Sequence, residues 1–130
     1  MAQNHHLPDT ELEIMQVIWE KGEILSTSDV KALLEQNRPW NISALQTLLN
    51  RLIDRGFLES YKKGKNRYYR PLVGEKEYLA EENRLFLERV NRHSLTKLVA
   101  SLYDSSAISE ADLDELAAFI REKTGGGRNE

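Results

Sequence analysis

The stretch from Ser43 to Arg67, SALQTLLNRLIDRGFLESYKKGKNR, constrains this chain more than any other. Leucines stand at 45, 48, 49 and 52, the spacing of a helical stripe turned toward a core. At ~100° per residue, Ser43, Gln46, Thr47, Asn50 and Asp54 fall on the opposite side. Those side chains are short or planar and mostly neutral, and Ser, Thr, Asn and Gln can hydrogen-bond to base edges or phosphates. A merely solvated helix usually carries Lys and Glu there. Ser43 followed by Gln46 matches a capping box, so the helix is predicted to start at Ser43 or a residue or two earlier. Gly56 stops it. On the helix alone, an ordinary amphipathic helix with a polar outer face fits equally well.

The residues that follow separate the two readings. Phe57 to Lys63 and Arg67 to Leu72 suit strands, and Gly64-Lys65-Asn66 between them has turn chemistry. Lys62, Lys63, Lys65 and Arg67 crowd the tip. A basic hairpin directly after a polar-faced helix is the pattern of a winged helix-turn-helix. In that pattern the helix enters the major groove and the wing neutralises backbone phosphates.

Charge distribution supports this reading although the whole chain carries −3. From Arg38 to Leu72 there are eight Lys or Arg against two acids, a local +6. From Val73 to Glu130 there are eight bases against twelve acids, a local −4. Affinity for phosphate follows the local patch, not the total. The 130 residues allow one domain or a small domain with an appendage. There is no long apolar run and no apolar segment after Met1, so neither membrane insertion nor a signal peptide is expected. The absence of cysteine removes disulfides and thiolate metal sites and fits the cytoplasm, the expected location.

Elsewhere the chain reads as helices. Asp9 or Thr10 is expected to cap the first, with Thr10 and Glu13 as a capping box, Leu12, Met15, Ile18 and Trp19 inward and Gly22 as the stop. Trp19 is taken as a core anchor. Ile24-Leu25 suits a short strand beside the wing. Ser26 and Asp29 open a second helix with Val30, Leu33 and Leu34 inward, and Pro39 breaks it. Trp40 either staples the start of the central helix or packs on a sugar-phosphate backbone; the structural role is favoured. Residues 75 to 93 form a long helix, Leu95, Leu98, Val99 and Leu102 a second stripe, and Ser109 with Asp112 caps a last helix carrying Leu113, Leu116, Phe119 and Ile120. Three such stripes have no evident partner within one chain. Burying an apolar side chain is worth ~1.5–3 kcal/mol, so a dimer built from two copies of this half is expected, with folding back onto the first half as the alternative. Tyr78, Leu85, Phe86, Leu95, Leu98, Val99, Leu102, Leu116, Phe119 and Ile120 are the expected dimerisation residues. The fold expected is mainly α with a small β-hairpin: a winged helix-turn-helix domain over residues 1–73, a helical dimerisation domain over 74–124 and a disordered tail over 125–130. His5 and His6 are read as an inert pair in a frayed segment, and no metal or cofactor is expected.

Three segments, LEIMQVIWEKGE (12–23), QTLLNRLIDRG (46–56) and YYRPLVGEKEYL (68–79), carry a resemblance to the penicillinase-repressor family, the BlaI/MecI type to which copper-responsive CopY repressors also belong. The resemblance spans roughly residues 7 to 124 and lies in the order and spacing of the segments. It implies a dimeric winged-helix repressor of an inverted-repeat operator, with Gln46 and Thr47 at DNA-contacting positions. Ser43-Ala44 stands where the family often has Lys-Thr, which loses a positive charge at the groove. In antibiotic-responsive members a membrane sensor triggers cleavage in the C-terminal helices. By alignment that bond lies near Ser101-Leu102, although the Asn-Phe pair found there in characterised members is absent. Copper sensing is not expected, because the required cysteine pairs are missing.

The function expected is therefore a sequence-specific repressor acting as a homodimer on double-stranded DNA, with a sensor protease as a further candidate partner. Ser43, Ala44, Gln46, Thr47, Asn50 and Arg51 on the helix and Lys63, Lys65, Asn66 and Arg67 on the wing are the expected DNA contacts. The alternative is a winged helix that docks another protein. An enzyme is not expected: there is no nucleophile–base constellation, no glycine-rich phosphate loop and no metal-ligand set, and His93 stands alone near a helix junction.

Overall fold

In a computed structural model, residues 6–125 are described. The elements run α1 (Asp9–Lys21), β1 (Leu25–Ser26), α2 (Thr27–Leu34), α3 (Ile42–Asp54), β2 (Leu58–Lys63), β3 (Asn66–Pro71), α4 (Glu75–Asn91), α5 (Leu95–Asp104) and α6 (Glu110–Lys123). The chain divides into two compact units, with the boundary between Asn83 and Arg84. That point lies inside α4, ten residues beyond the expected end of the first domain at 73.

The first unit is a three-helix cluster with an antiparallel sheet of order β1-β3-β2. The short strand expected at Ile24-Leu25 is β1, where Leu25 pairs with Tyr69. The core is built from Leu7, Ile14, Met15, Ile18, Val30, Leu34, Leu45, Leu49, Leu52, Phe57, Leu58 and Tyr69, with Trp40 and Tyr78 at its margins. Ser26 and Asp29 form the expected reciprocal box at α2, and Gly22 ends α1 at φ 69°.

α1 departs from expectation at its start and on its buried face. Its N-cap is Pro8, and no side chain caps the helix. Leu7 is buried just before the helix, which starts one or two residues early, while the Glu13 carboxylate is taken by Arg38 at 2.7 Å. The buried face is Glu11, Ile14, Met15 and Ile18; Leu12 and Trp19 are only half-buried. Glu11 is 1% exposed and lies 3.5 Å from Arg55 at the end of α3.

Tyr78, expected at a dimer interface, belongs instead to the core of the first unit, at 4% exposure. Its ring packs 5.6 Å from Trp19 and 5.9 Å edge-on from Phe57. Its hydroxyl accepts from the Leu7 N–H at 3.1 Å, and burial pushes its pKa up. Trp19 Nε1 donates to the Val73 carbonyl at 2.9 Å. The first turn of α4 is thereby fastened to α1, which is why the compact unit runs past residue 73.

The second unit contains the rest of α4 with α5 and α6. Ser94 caps α5, and Ser109 with Asp112 caps α6 as expected. α4 stops at Asn91, because Arg92 and His93 adopt left-handed φ values of 53° and 69°. α5 ends in a Schellman turn in which Ser106, at φ 65°, occupies the position usually given to glycine. No described residue of this unit is fully buried. Leu98, Val99, Leu102 and Leu116 are half-buried, whereas Leu85, Phe86, Leu95, Phe119 and Ile120 are exposed. Ser101 is exposed within α5. His5 and the segment 126–130 lie outside the described residues; His6 Nδ1 is 2.7 Å from Glu82.

Candidate nucleic-acid interface

α3 is held at both ends by local chemistry. Asn41, not Ser43, is the N-cap: its side-chain oxygen accepts from the Ala44 N–H at 2.9 Å. Trp40 is nearly buried just before it, and the helix starts at Ile42, within the expected range of Ser43 or a residue or two earlier. The Arg38 guanidinium covers the Trp40 ring at 4.3 Å, and the Trp40 N–H donates to Glu35. The hydrogen bond from Lys31, aided by that N–H, holds the Glu35 carboxyl below its ordinary pKa. At the other end Gly56 sits at φ 83°, and the Phe57 and Gly56 N–H groups close onto the carbonyls of Leu52 and Ile53. This is a Schellman motif, and it directs the chain into the hairpin.

Between these ends Leu45, Leu49 and Leu52 are fully buried and Leu48 half-buried. The opposite side is open. Ser43, Ala44, Thr47, Asn50 and Arg51 are exposed, and Gln46 is half-buried at the rim. The Thr47 hydroxyl donates back to the Ser43 carbonyl at 3.1 Å. Gln46 Nε2 donates to the Tyr69 hydroxyl at 3.2 Å.

The hairpin turn is tighter than expected. Lys63 pairs with Asn66, so the turn is the two residues Gly64-Lys65 and Asn66 belongs to β3. Gly64 takes φ 66° and Lys65 has no positive φ, the pattern of a type II′ turn. Period-2 alternation then splits the basic tip. Lys62 and Arg67 are paired on the face that carries Leu58, Ser60 and Tyr69, and Arg67 donates to the Ser60 hydroxyl at 3.0 Å. Lys63 and Asn66 share the other face with the stacked rings of Tyr61 and Tyr68. Lys62, absent from the expected contacts, is exposed beside Arg67; strand periodicity is the signal that pairs them.

Ion pairing sorts the basic residues further. Arg38 is paired with Glu13, Arg55 with Glu11 and Arg70 with Glu59 directly across the hairpin. Among the described residues Arg51, Lys62, Lys63, Lys65 and Arg67 have no carboxylate partner, and all five lie on α3 or the wing. The unneutralised positive charge of the segment 38–72 therefore lies on α3 and the hairpin that follows it. No group of three possible metal ligands occurs among the described residues, and none of their helices is long and apolar enough to cross a membrane.

A helix with a buried leucine stripe and an open amide-and-hydroxyl face, preceded by a second helix and followed by a basic wing, defines a winged helix-turn-helix protein. Comparison with known proteins gives the family. The penicillinase repressor family model matches residues 7–122, and the chain belongs to that family of DNA-binding repressors. The penicillinase repressor of Bacillus licheniformis is 31% identical over 116 residues, covering 89% of this chain and 90% of that one. The methicillin resistance regulatory protein MecI of Staphylococcus aureus strain N315 is 24% identical over 119 residues, covering 92% of this chain and 96% of MecI. Among solved structures, the DNA-binding domain of the repressor BlaI matches at TM-score 0.53 with 36% identity, covering 60% of this chain and 94% of that domain. The Bacillus licheniformis protein and BlaI are named as repressors and MecI as a regulatory protein, so the family shown is one of repressors and not of enzymes.

Proposed function

We propose that this chain is a sequence-specific transcriptional repressor that acts as a homodimer on an inverted-repeat operator. The carrying observation is the row Ser43, Thr47 and Asn50, exposed above the buried leucines of α3 and flanked by the unpaired cations of the wing. α3 specifies bases, while the wing and Arg51 neutralise phosphates. Two copies linked through their C-terminal helices set two α3 helices in successive major grooves, ~34–36 Å apart, and block the promoter. The dimer reading is supported by the second unit, where Leu85, Phe86, Leu95, Phe119 and Ile120 remain exposed in a single chain. The repressor acts in the cytoplasm, the compartment that holds its DNA.

Derepression follows cleavage in α5 near Ser101-Leu102 by a sensor protease. A cut there separates Leu85, Phe86, Leu95, Leu98 and Val99 from Leu102, Leu116, Phe119 and Ile120. α5 has no fully buried residue, which supports local opening for a protease.

The test has two stages. A mobility-shift assay on random DNA at low salt is expected to show binding at micromolar protein. Selection from a random duplex pool is then expected to recover an inverted repeat with half-sites about one helical turn apart. No binding at micromolar protein would favour a winged helix that docks another protein, and recovery of single, unpaired half-sites would remove the dimer.

A further inference from the structure

Tyr69 stands on β3 with its side chain wholly buried. Its hydroxyl accepts from Gln46 Nε2 at 3.2 Å and from Thr27 Oγ1 at 3.1 Å, so α2, α3 and β3 meet at one oxygen. Gln46 is half-buried at the rim of the open face of α3. A free glutamine amide at such a rim can turn either its oxygen or its nitrogen outward, because its last torsion is broad. The bond to Tyr69 turns Nε2 inward. Oε1 is left as an acceptor without a hydrogen-bond partner among the described residues.

In the major groove, adenine and cytosine present an exocyclic amino donor, whereas guanine O6 and thymine O4 accept. On the proposal that α3 enters that groove, we infer that Tyr69 is a positioning residue: its hydroxyl holds the Gln46 amide with Oε1 outward, so that Gln46 favours adenine or cytosine over guanine and thymine. Adenine suits the amide best, because the second Nε2 hydrogen remains available for N7 while Oε1 accepts from N6. A glutamine without this anchor flips to suit whichever base faces it, so the discrimination resides in the pair.

The experiment uses the full-length protein and the operator recovered by selection, with each half-site position replaced in turn by the other three bases. The wild-type protein is expected to require adenine or cytosine at one position, and Gln46→Ala to lose the preference at that position alone. Tyr69→Phe keeps the ring and removes one oxygen. It is expected to lose the same preference, with operator affinity falling about five- to tenfold, the scale of one hydrogen bond. Its thermal midpoint should fall by several degrees, as expected for lost buried hydrogen bonds, whereas its affinity for random DNA and salt slope should stay near wild type, which places the loss in base discrimination. If Tyr69→Phe does not fold, Thr27→Val leaves the ring in place and removes one of the two donors that hold the Tyr69 hydroxyl, so the hydroxyl orients the Gln46 amide less firmly and the same preference is expected to weaken. The inference is overturned if the variant tested retains the preference that Gln46→Ala loses, if the position selects guanine or thymine, or if Gln46→Ala changes no base preference. Recovery of no operator at all would instead remove the repressor reading beneath it.

Discussion

Tyr78 shows how one residue changes its assignment when long-range packing becomes visible. Its position in α4 suits an amphipathic stripe, and periodicity says that such a stripe is buried without saying against what. Trp19, Phe57 and the Leu7 N–H supply the answer from distant parts of the chain. Tyr78→Ala is expected to destabilise the protein by about 3–5 kcal/mol, as for other large buried aromatics, while exposed Leu85→Ala changes the unfolding of the first unit little. Denaturant unfolding of the two variants checks this. Burial raises the Tyr78 pKa, so the unfolded chain ionises first; its contribution is full below the ordinary phenol value and lost as pH rises through the folded one. Glu11 was illegible for a related reason: a carboxylate reads as solvated, and only the fold reveals Arg55 beside it.

At the scale of elements, α3 and the wing were readable because each rests on local chemistry. The leucine spacing gives the buried side of α3, Gly56 gives its end, and the basic turn gives the wing. The start of α3 lies in the expected range, Ser43 or a residue or two earlier, but local rules do not single out the capping residue. Ser43 with Gln46 and Asn41 alone both satisfy local rules, and the anchoring of Trp40 decides for Asn41. Asn41→Ala is expected to cost about 1 kcal/mol and Ser43→Ala almost nothing. Gly56→Ala, which meets no steric neighbour but sits at φ 83°, costs about 1–2 kcal/mol through the backbone alone. Thermal unfolding of the three variants checks the order. The facing of the wing residues required the turn length: a two-residue turn sets Lys62 against Arg67, whereas a three-residue turn would shift the register. Lys62→Ala with Arg67→Ala is expected to weaken binding to operator and random DNA about equally. It should also lower the salt slope by about 1 for each phosphate no longer neutralised, read from isotherms at several salt concentrations.

The whole molecule divides its labour by charge and by burial. The segment 38–72 carries +6 and the segment 73–130 carries −4, so an acidic total coexists with a basic segment. The first unit closes its own core, while the second leaves Phe119 55% exposed and Ile120 48% exposed. The proposed dimer predicts that Phe119→Asp with Ile120→Asp yields monomers by sedimentation and lowers operator affinity by at least tenfold, with random-DNA affinity per chain nearly unchanged. The amphipathic stripes of the C-terminal helices were readable in the sequence, but the fastening of α4 to the first unit was not, since no local pattern marks Tyr78 apart from Leu85.

Whether the amide-and-hydroxyl side of α3 meets the bases is decided by one ratio. It is the affinity for operator over that for random DNA, measured for Thr47→Ala with Asn50→Ala against wild type under identical salt. Removing base contacts worth about 1–3 kcal/mol each predicts that the ratio falls at least tenfold while random-DNA binding stays within about twofold. An unchanged ratio would contradict the account, whether both affinities held or both fell together.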